Sequence, residues 1–147
     1  MSRFAARRRA LSVLYEADEK GGDIEALLLE RLGDPGLPTP LPDYAKEIVS
    51  GVAAHKEEID GLIAKNSSWK IERMAVLDRN IMRMAIWECL YGEGGPAVAY
   101  INEAIKLAKI YCGGKSVNFI YGVLCAATGR PKPEGGNEAP NSIELSV

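Results

Sequence analysis

Residues Val76 to Tyr91 read VLDRNIMRMAIWECLY, and the fold turns on how apolar residues recur within them. At helical spacing Leu77, Ile81, Met84, Ala85 and Cys89 fall along one side. Met82, Ile86 and Leu90 form a second stripe, with Trp87 between the two. A helix that is apolar over most of its circumference has to be surrounded by other elements. Its polar positions, Asp78, Arg79, Arg83 and Glu88, are expected near its start or on what is left of its surface. A membrane span needs roughly 18 or more consecutive apolar residues, and Arg79 and Arg83 interrupt this one well before that. The stretch predicts the central helix of a soluble helical core.

Composition sets the frame around that helix. A chain of 147 residues is expected to form one domain. Lysine and arginine number 18 against 20 acids, a formal charge of -2 that by itself gives no argument for nucleic acid. The distribution is uneven, however: Arg3, Arg7, Arg8 and Arg9 crowd the start of the chain with no acid among them, leaving the remainder acidic. Cys89, Cys112 and Cys125 form no CxxC pair and fall in helical segments, so they read as reduced core thiols of a cytoplasmic protein. No apolar signal region follows the arginines, because Ala10 to Tyr15 soon gives way to Glu16, Asp18, Glu19 and Lys20. Asn66-Ser67-Ser68 fits a glycosylation sequon, which carries no weight without a secretion signal.

Outward from the central helix, the spacing predicts further helices on both sides. Ser2 caps a first helix running to about Glu19, with Ala6, Ala10, Val13, Leu14 and Ala17 buried, and Gly21-Gly22 end it. Asp23 caps a second, with Ile24, Leu27, Leu28 and Leu32 inward and Gly33 as its stop. The proline-rich DPGLPTPLP of residues 34–42 can be neither helix nor central strand, and reads as a stiff connector or mobile loop. Asp43 caps the next region, where Ile48, Val52, Ile59, Leu62 and Ile63 keep the spacing to Lys65. Gly51 and His55 suggest a break there, so two helices are expected. Ser67 to Lys70 is a turn. After the central helix, Ala97 to Tyr111 keeps Val98, Ile101, Ile105, Ala108 and Cys112 on one face. Ser116 caps a last helix with Phe119, Ile120, Val123, Leu124 and Ala127 inside. The residues 130–147 hold too little apolar content to pack and are expected to be a disordered tail. The expectation is an all-α domain over 1–129 of about seven helices, without strands or repeats.

Signatures of catalysis are mostly missing. His55 sits beside Lys56 and Glu57 with no evident nucleophile or carboxylate partner. One histidine and three scattered cysteines make a poor metal set, since ligand pairs come at short fixed spacings. Gly114-Lys115-Ser116 resembles the end of a phosphate-binding loop, but Lys109 stands where the motif needs a glycine and a helix stands where it needs a strand. No cofactor is expected. The arginines are more informative. They occupy the first turns of a helix, where the macrodipole disfavours cations by about 0.3–1 kcal/mol each. Such a local conflict points either to a functional surface gripping a polyanion or to arginines that pair with acids elsewhere on the chain or keep the terminus soluble. Arg3 and Arg7 share a face, while Arg8 and Arg9 fan away from it. A second candidate is Gly113 to Phe119, GGKSVNF. Lys115 lies at a helix start that favours phosphate, Ser116 and Asn118 add hydrogen-bonding groups, and Phe119 offers a ring for a base to stack on.

Taken in order, these residues resemble the NusB family of transcription antitermination factors. The matching stretches are the basic first helix ending in Ala10-Leu11-Ser12-Val13-Leu14-Tyr15, then Val49-Ser50-Gly51-Val52 with His55, and Glu58 to Ile63. They continue with Trp69, Asp78-Arg79 and Arg83, Pro96, Ile101 to Ala104, and Leu107 to Lys109. Ser116, Phe119, Gly122, Val123 and Leu124 complete the set, which spans about residues 3–127.

The resemblance implies an all-α fold of two packed helical subdomains without enzymatic activity. It implies binding of the single-stranded boxA element of ribosomal RNA transcripts together with NusE, a small-subunit ribosomal protein, within an antitermination complex with RNA polymerase. Carried over by position, Arg3 and Arg7 match the RNA-contacting first helix. Phe4 and Ala5 stand where many members are basic, and Arg8, a further RNA candidate, and Arg9 add charge one turn later. Lys115, Ser116, Asn118 and Phe119 match the segment that completes the RNA surface, and Asp78, Trp87 and Glu88 are the candidates facing NusE. The family often has an acid near Lys115 and a basic residue near Asn118, so the positive charge is displaced here. NusB-like domains also occur attached to RNA methyltransferases as targeting modules, and some self-associate. An RNA-targeting or helical interaction module and a homodimer are therefore the alternatives.

Overall fold

The computed structural model describes residues 2–129, and the expected tail at 130–147 lies outside them. Six α-helices carry these residues: α1 (Arg3–Glu19), α2 (Ile24–Gly33), α3 (Asp43–Lys65), α4 (Val76–Tyr91), α5 (Ala97–Tyr111) and α6 (Gly114–Ala127), with a short 3-10 turn at Ile71–Arg73 before α4. Inside α3, His55 leaves helical geometry at φ -118° and ψ 18°, so α3 is two helices joined at a kink. Counting its halves separately gives the seven segments expected.

Local chemistry explains the boundaries. The Ser2 hydroxyl accepts the Ala5 N–H at 3.2 Å, and the Asp23 carboxylate accepts that of Ala26 at 3.0 Å, each satisfying a donor with no partner inside its helix. Gly21 and Gly22 follow α1 at φ 108° and 92°, where a side chain is strained. Two caps differ from expectation. Pro42 precedes α3 with no side-chain cap, and α6 starts from Gly113, leaving Ser116 within its first turn.

Helices α1, α2 and α3 pack together on one side, and α4, α5 and α6 on the other. Contacts of α4 with α1 and α3 join the two groups. The central helix is as enclosed as its pattern requires: Ile81, Met82, Met84, Ala85 and Ile86 are all buried. Burying such side chains stabilises the fold by roughly 1.5–3 kcal/mol each. Leu32, Leu90 and Val98, expected inside, are instead exposed, and Phe119 is half-buried.

The polar residues of α4 are the larger correction. Asp78, Arg83 and Glu88 are buried rather than left on the surface. The rest of the chain supplies partners that a single-helix reading does not see. Arg83 forks onto Asp60 at 2.7 and 3.0 Å and also reaches Asp18, 3.1 Å away. Arg79 donates to the same Asp18 at 3.0 Å. Burial opposes the Asp18 charge, but Arg79, Asn80 and Arg83 outweigh it and hold that carboxyl below its ordinary range. Two acids, on α1 and α3, thus clamp the central helix. The proline-rich connector is fastened too: Arg9 donates to the Thr39 hydroxyl at 2.8 Å and to its carbonyl at 3.0 Å.

Candidate nucleic-acid interface

The four arginines of α1 point to four different destinations. Arg3 is exposed, pairs with Glu93 at 2.5 Å, and lies 4.3 Å from the centre of the Tyr44 ring. Arg7 is only 6% exposed. Its Nε and Nη2 grip Glu88 at 3.0 and 2.8 Å, and Glu88 also accepts a short hydrogen bond from the Tyr44 hydroxyl. Burial works against the Arg7 charge, yet Glu88 and nearby Glu103 more than restore it and raise its pKa. Arg8 is exposed and donates to the Tyr111 hydroxyl at 2.9 Å. Arg9 holds the connector.

Two site expectations are corrected here. Arg7 cannot grip a phosphate while its guanidinium is enclosed with Glu88. Glu88, 2% exposed, cannot face a partner protein for the same reason. An isolated buried charge is so costly that the two residues are best understood as one structural unit. Sequence reading placed them on separate surfaces because the positions are far apart along the chain. Trp87 is half-buried, its indole lying where a side chain on Gly51 would stand.

The start of α6 is arranged differently. Lys115 and Asn118 are exposed, Ser116 is partly covered, and Phe119 is half-buried. Lys115, Ser116 and Phe119 line a hollow of about 370 Å³ together with Trp69, Arg73, Met74, Ala75 and Asp78. Asp78 is buried at its edge, and Cys112 is hydrogen-bonded to it. Burial and then the Asp78 charge push the Cys112 thiol up to about 12, which favours its protonated form at neutral pH. A second hollow of about 400 Å³ lies beyond Phe119, lined by Asn66, Ser67, Ser68, Asn118, Gly122, Val123 and Ala126. A third, about 260 Å³, joins Arg8 to Leu11, Ser12, Tyr15, Leu77 and Tyr111. Leu77 and Asp78 are consecutive on α4, so its first turn contributes one residue to the Arg8 hollow and one to the Phe119 hollow.

Four of the expected RNA residues, Lys115, Ser116, Asn118 and Phe119, therefore cluster on α6. Arg8 stands on the hollow that includes Leu77, Arg3 is exposed but paired with Glu93, and Arg7 is internal. Trp69 and Arg73 were missed as site residues. Their signal in the sequence is a tryptophan in a serine-rich turn, outside any apolar period.

Comparison with known proteins identifies the fold's relatives. The NusB family model matches residues 5–128. The chain belongs to the NusB family. A transcription antitermination protein NusB from Bifidobacterium longum subsp. infantis is 50% identical over 139 residues, covering 91% of this chain and 74% of that protein. The NusB protein of Bifidobacterium animalis subsp. lactis is 46% identical and covers 95% and 92%. Among solved structures, T. maritima NusB superposes with a TM-score of 0.74 at 28% identity, over 92% of this chain and 96% of that one. A chain in the crystal structure of antitermination factors NusB and NusE in complex with dsRNA gives 0.73 at 29% identity, over 88% and 98%.

Proposed function

We propose that this chain is a transcription antitermination factor that binds boxA-containing RNA together with NusE and acts by recognition rather than catalysis. Membership of the NusB family over nearly the whole chain carries the reading. A NusB relative crystallised with NusE and double-stranded RNA supports the choice of NusE and RNA as partners. The surface has suitable chemistry: cations at Lys115, Arg73 and Arg8 stand among Phe119, Trp69, Tyr15 and Tyr111, a mixture suited to phosphates and stacked bases. Arg3 is available once Glu93 lets it go, an exposed exchange of low cost. Trp87, half-buried, is the position left for the NusE-facing side, since Asp78 is buried and lines the hollow beside Lys115. The working setting is the cytoplasm, within a complex that includes RNA polymerase. Among the described residues, no helix is long and apolar enough to cross a membrane.

The test is titration of labelled boxA RNA and a scrambled control, with and without NusE. Weak binding alone, tighter binding with NusE and a clear preference for boxA are expected. Equal affinity for both RNAs in the presence of NusE would overturn the reading. Methyl transfer to ribosomal RNA by the purified chain would favour the alternative of an enzyme-targeting module.

A further inference from the structure

The connector between α3 and α4 does more than turn the chain. It carries Trp69, 59% exposed, a large ring that no core requires. The Ser67 hydroxyl oxygen accepts the Trp69 backbone N–H at 3.0 Å, fixing the residue's base. Trp69 shares its hollow with Phe119 and with two exposed cations, Arg73 and Lys115, the one acid of the lining being the buried Asp78 at its edge. No described acid pairs with either cation, in contrast to Arg3 and Arg7 on α1. Across Phe119 the lining changes character to the neutral groups of Asn66, Ser67 and Ser68 of the same connector, where the Asn66 amide nitrogen donates to the Leu62 carbonyl at 2.8 Å and leaves its oxygen to face a ligand.

Phe119 is therefore a ridge with rings and positive charge on one side and neutral donors and acceptors on the other. Unpaired RNA has matching parts: base faces that stack, phosphates that seek cations, and polar edges read by neutral groups. A duplex keeps its base faces covered and cannot use the rings. An apolar protein segment could use the rings but would leave both cations without counter-charge.

We propose that the connector is the second wall of a single-stranded RNA cleft. One unpaired base packs against Trp69 with its flanking phosphates on Arg73 and Lys115. The next base crosses Phe119 and has its edge read by Asn66, Ser67 and Ser68. This rests on the RNA-binding reading above, which draws on Trp69 and Arg73 only for their general chemistry, and adds the role of each together with those of Asn66, Ser67 and Ser68.

The experiment is titration of single-stranded boxA RNA onto the full chain with NusE present, for the native protein, Trp69→Ala, Trp69→Phe and the double variant Arg73→Ala/Lys115→Ala. Trp69→Ala is expected to weaken binding on the order of 10-fold, with Trp69→Phe restoring most of it. RNA should quench indole fluorescence in the native protein and not in Trp69→Phe. The double variant should flatten the log–log salt slope by about 1.4, about 0.7 per phosphate contact. If Trp69→Ala binds RNA as the native chain does, the cleft is wrong while the RNA-binding reading stands. If the native chain shows no boxA preference, both fall. Loss of NusE binding by Trp69→Ala with its affinity for RNA alone intact would make Trp69 a protein contact and overturn the proposal.

Discussion

At the scale of single residues, the Arg7–Glu88 pair is the sharpest feature. Both side chains are nearly inaccessible, and Tyr44 adds a third group whose hydroxyl is held protonated, first by burial and then by the Glu88 charge. Removing one partner strands the other, so Arg7→Ala is expected to cost about 3–5 kcal/mol in urea denaturation. Arg7→Met with Glu88→Leu should recover much of that loss, since no charge is then left buried. A single-variant loss below about 1 kcal/mol would contradict the enclosed pair. The residue scale is also where the sequence was least legible. A run of arginines shows positive charge but not its direction around the helix. Arg3, Arg7, Arg8 and Arg9 look alike in a row, yet one is buried, one ties down a loop and two are exposed. Which acid each meets is decided by segments remote in sequence.

At the scale of elements, most boundaries were readable because they depend on neighbours along the chain. Caps, glycines and the 3.6-residue period placed α1, α2, α4 and α5 at their observed spans. Even the break in α3 was signalled by Gly51 and His55. Gly51 marks a close approach: a Cβ there would sit 2.0 Å from the Trp87 indole nitrogen. Gly51→Ala should therefore cost about 1–3 kcal/mol by overpacking α3 against α4, measured by thermal or chemical unfolding. The joints between elements also carry an acid dependence. Asp18, shared by Arg79 and Arg83, titrates below its ordinary range. Glu16, held by Arg31 and Lys20, drops from 4.5 to about 2. Depressed carboxyls contribute stability that is complete above their unfolded values and is lost as pH falls through the folded ones. The melting temperature should thus decline from about pH 5 down to about pH 2. Asp18→Asn should melt lower at neutral pH and decline less steeply. A flat profile for the native chain would show that these joints contribute little.

At the scale of the whole molecule, charge is sorted by location more than by amount. The chain as a whole is slightly acidic, at -2, while the surface around the start of α6 and the turn before α4 sets the cations Lys115 and Arg73 beside Phe119 and Trp69. Self-association would compete with that surface if it covered α1. Sizing by light scattering should then show RNA shifting a dimer toward an RNA-bound monomer, and an assembly size indifferent to RNA would place any dimer contact elsewhere. The bend at His55, whose ring stacks on Tyr91 with centres 3.8 Å apart, bears on the same surface. Because the lower half of α3 ends at the connector, the angle set there aims Asn66 to Trp69 at α6. A straight rod in place of the elbow would swing the tryptophan arm off its mark. In the proposed cleft, the width of the gap is thus set by a histidine that lines neither of its hollows.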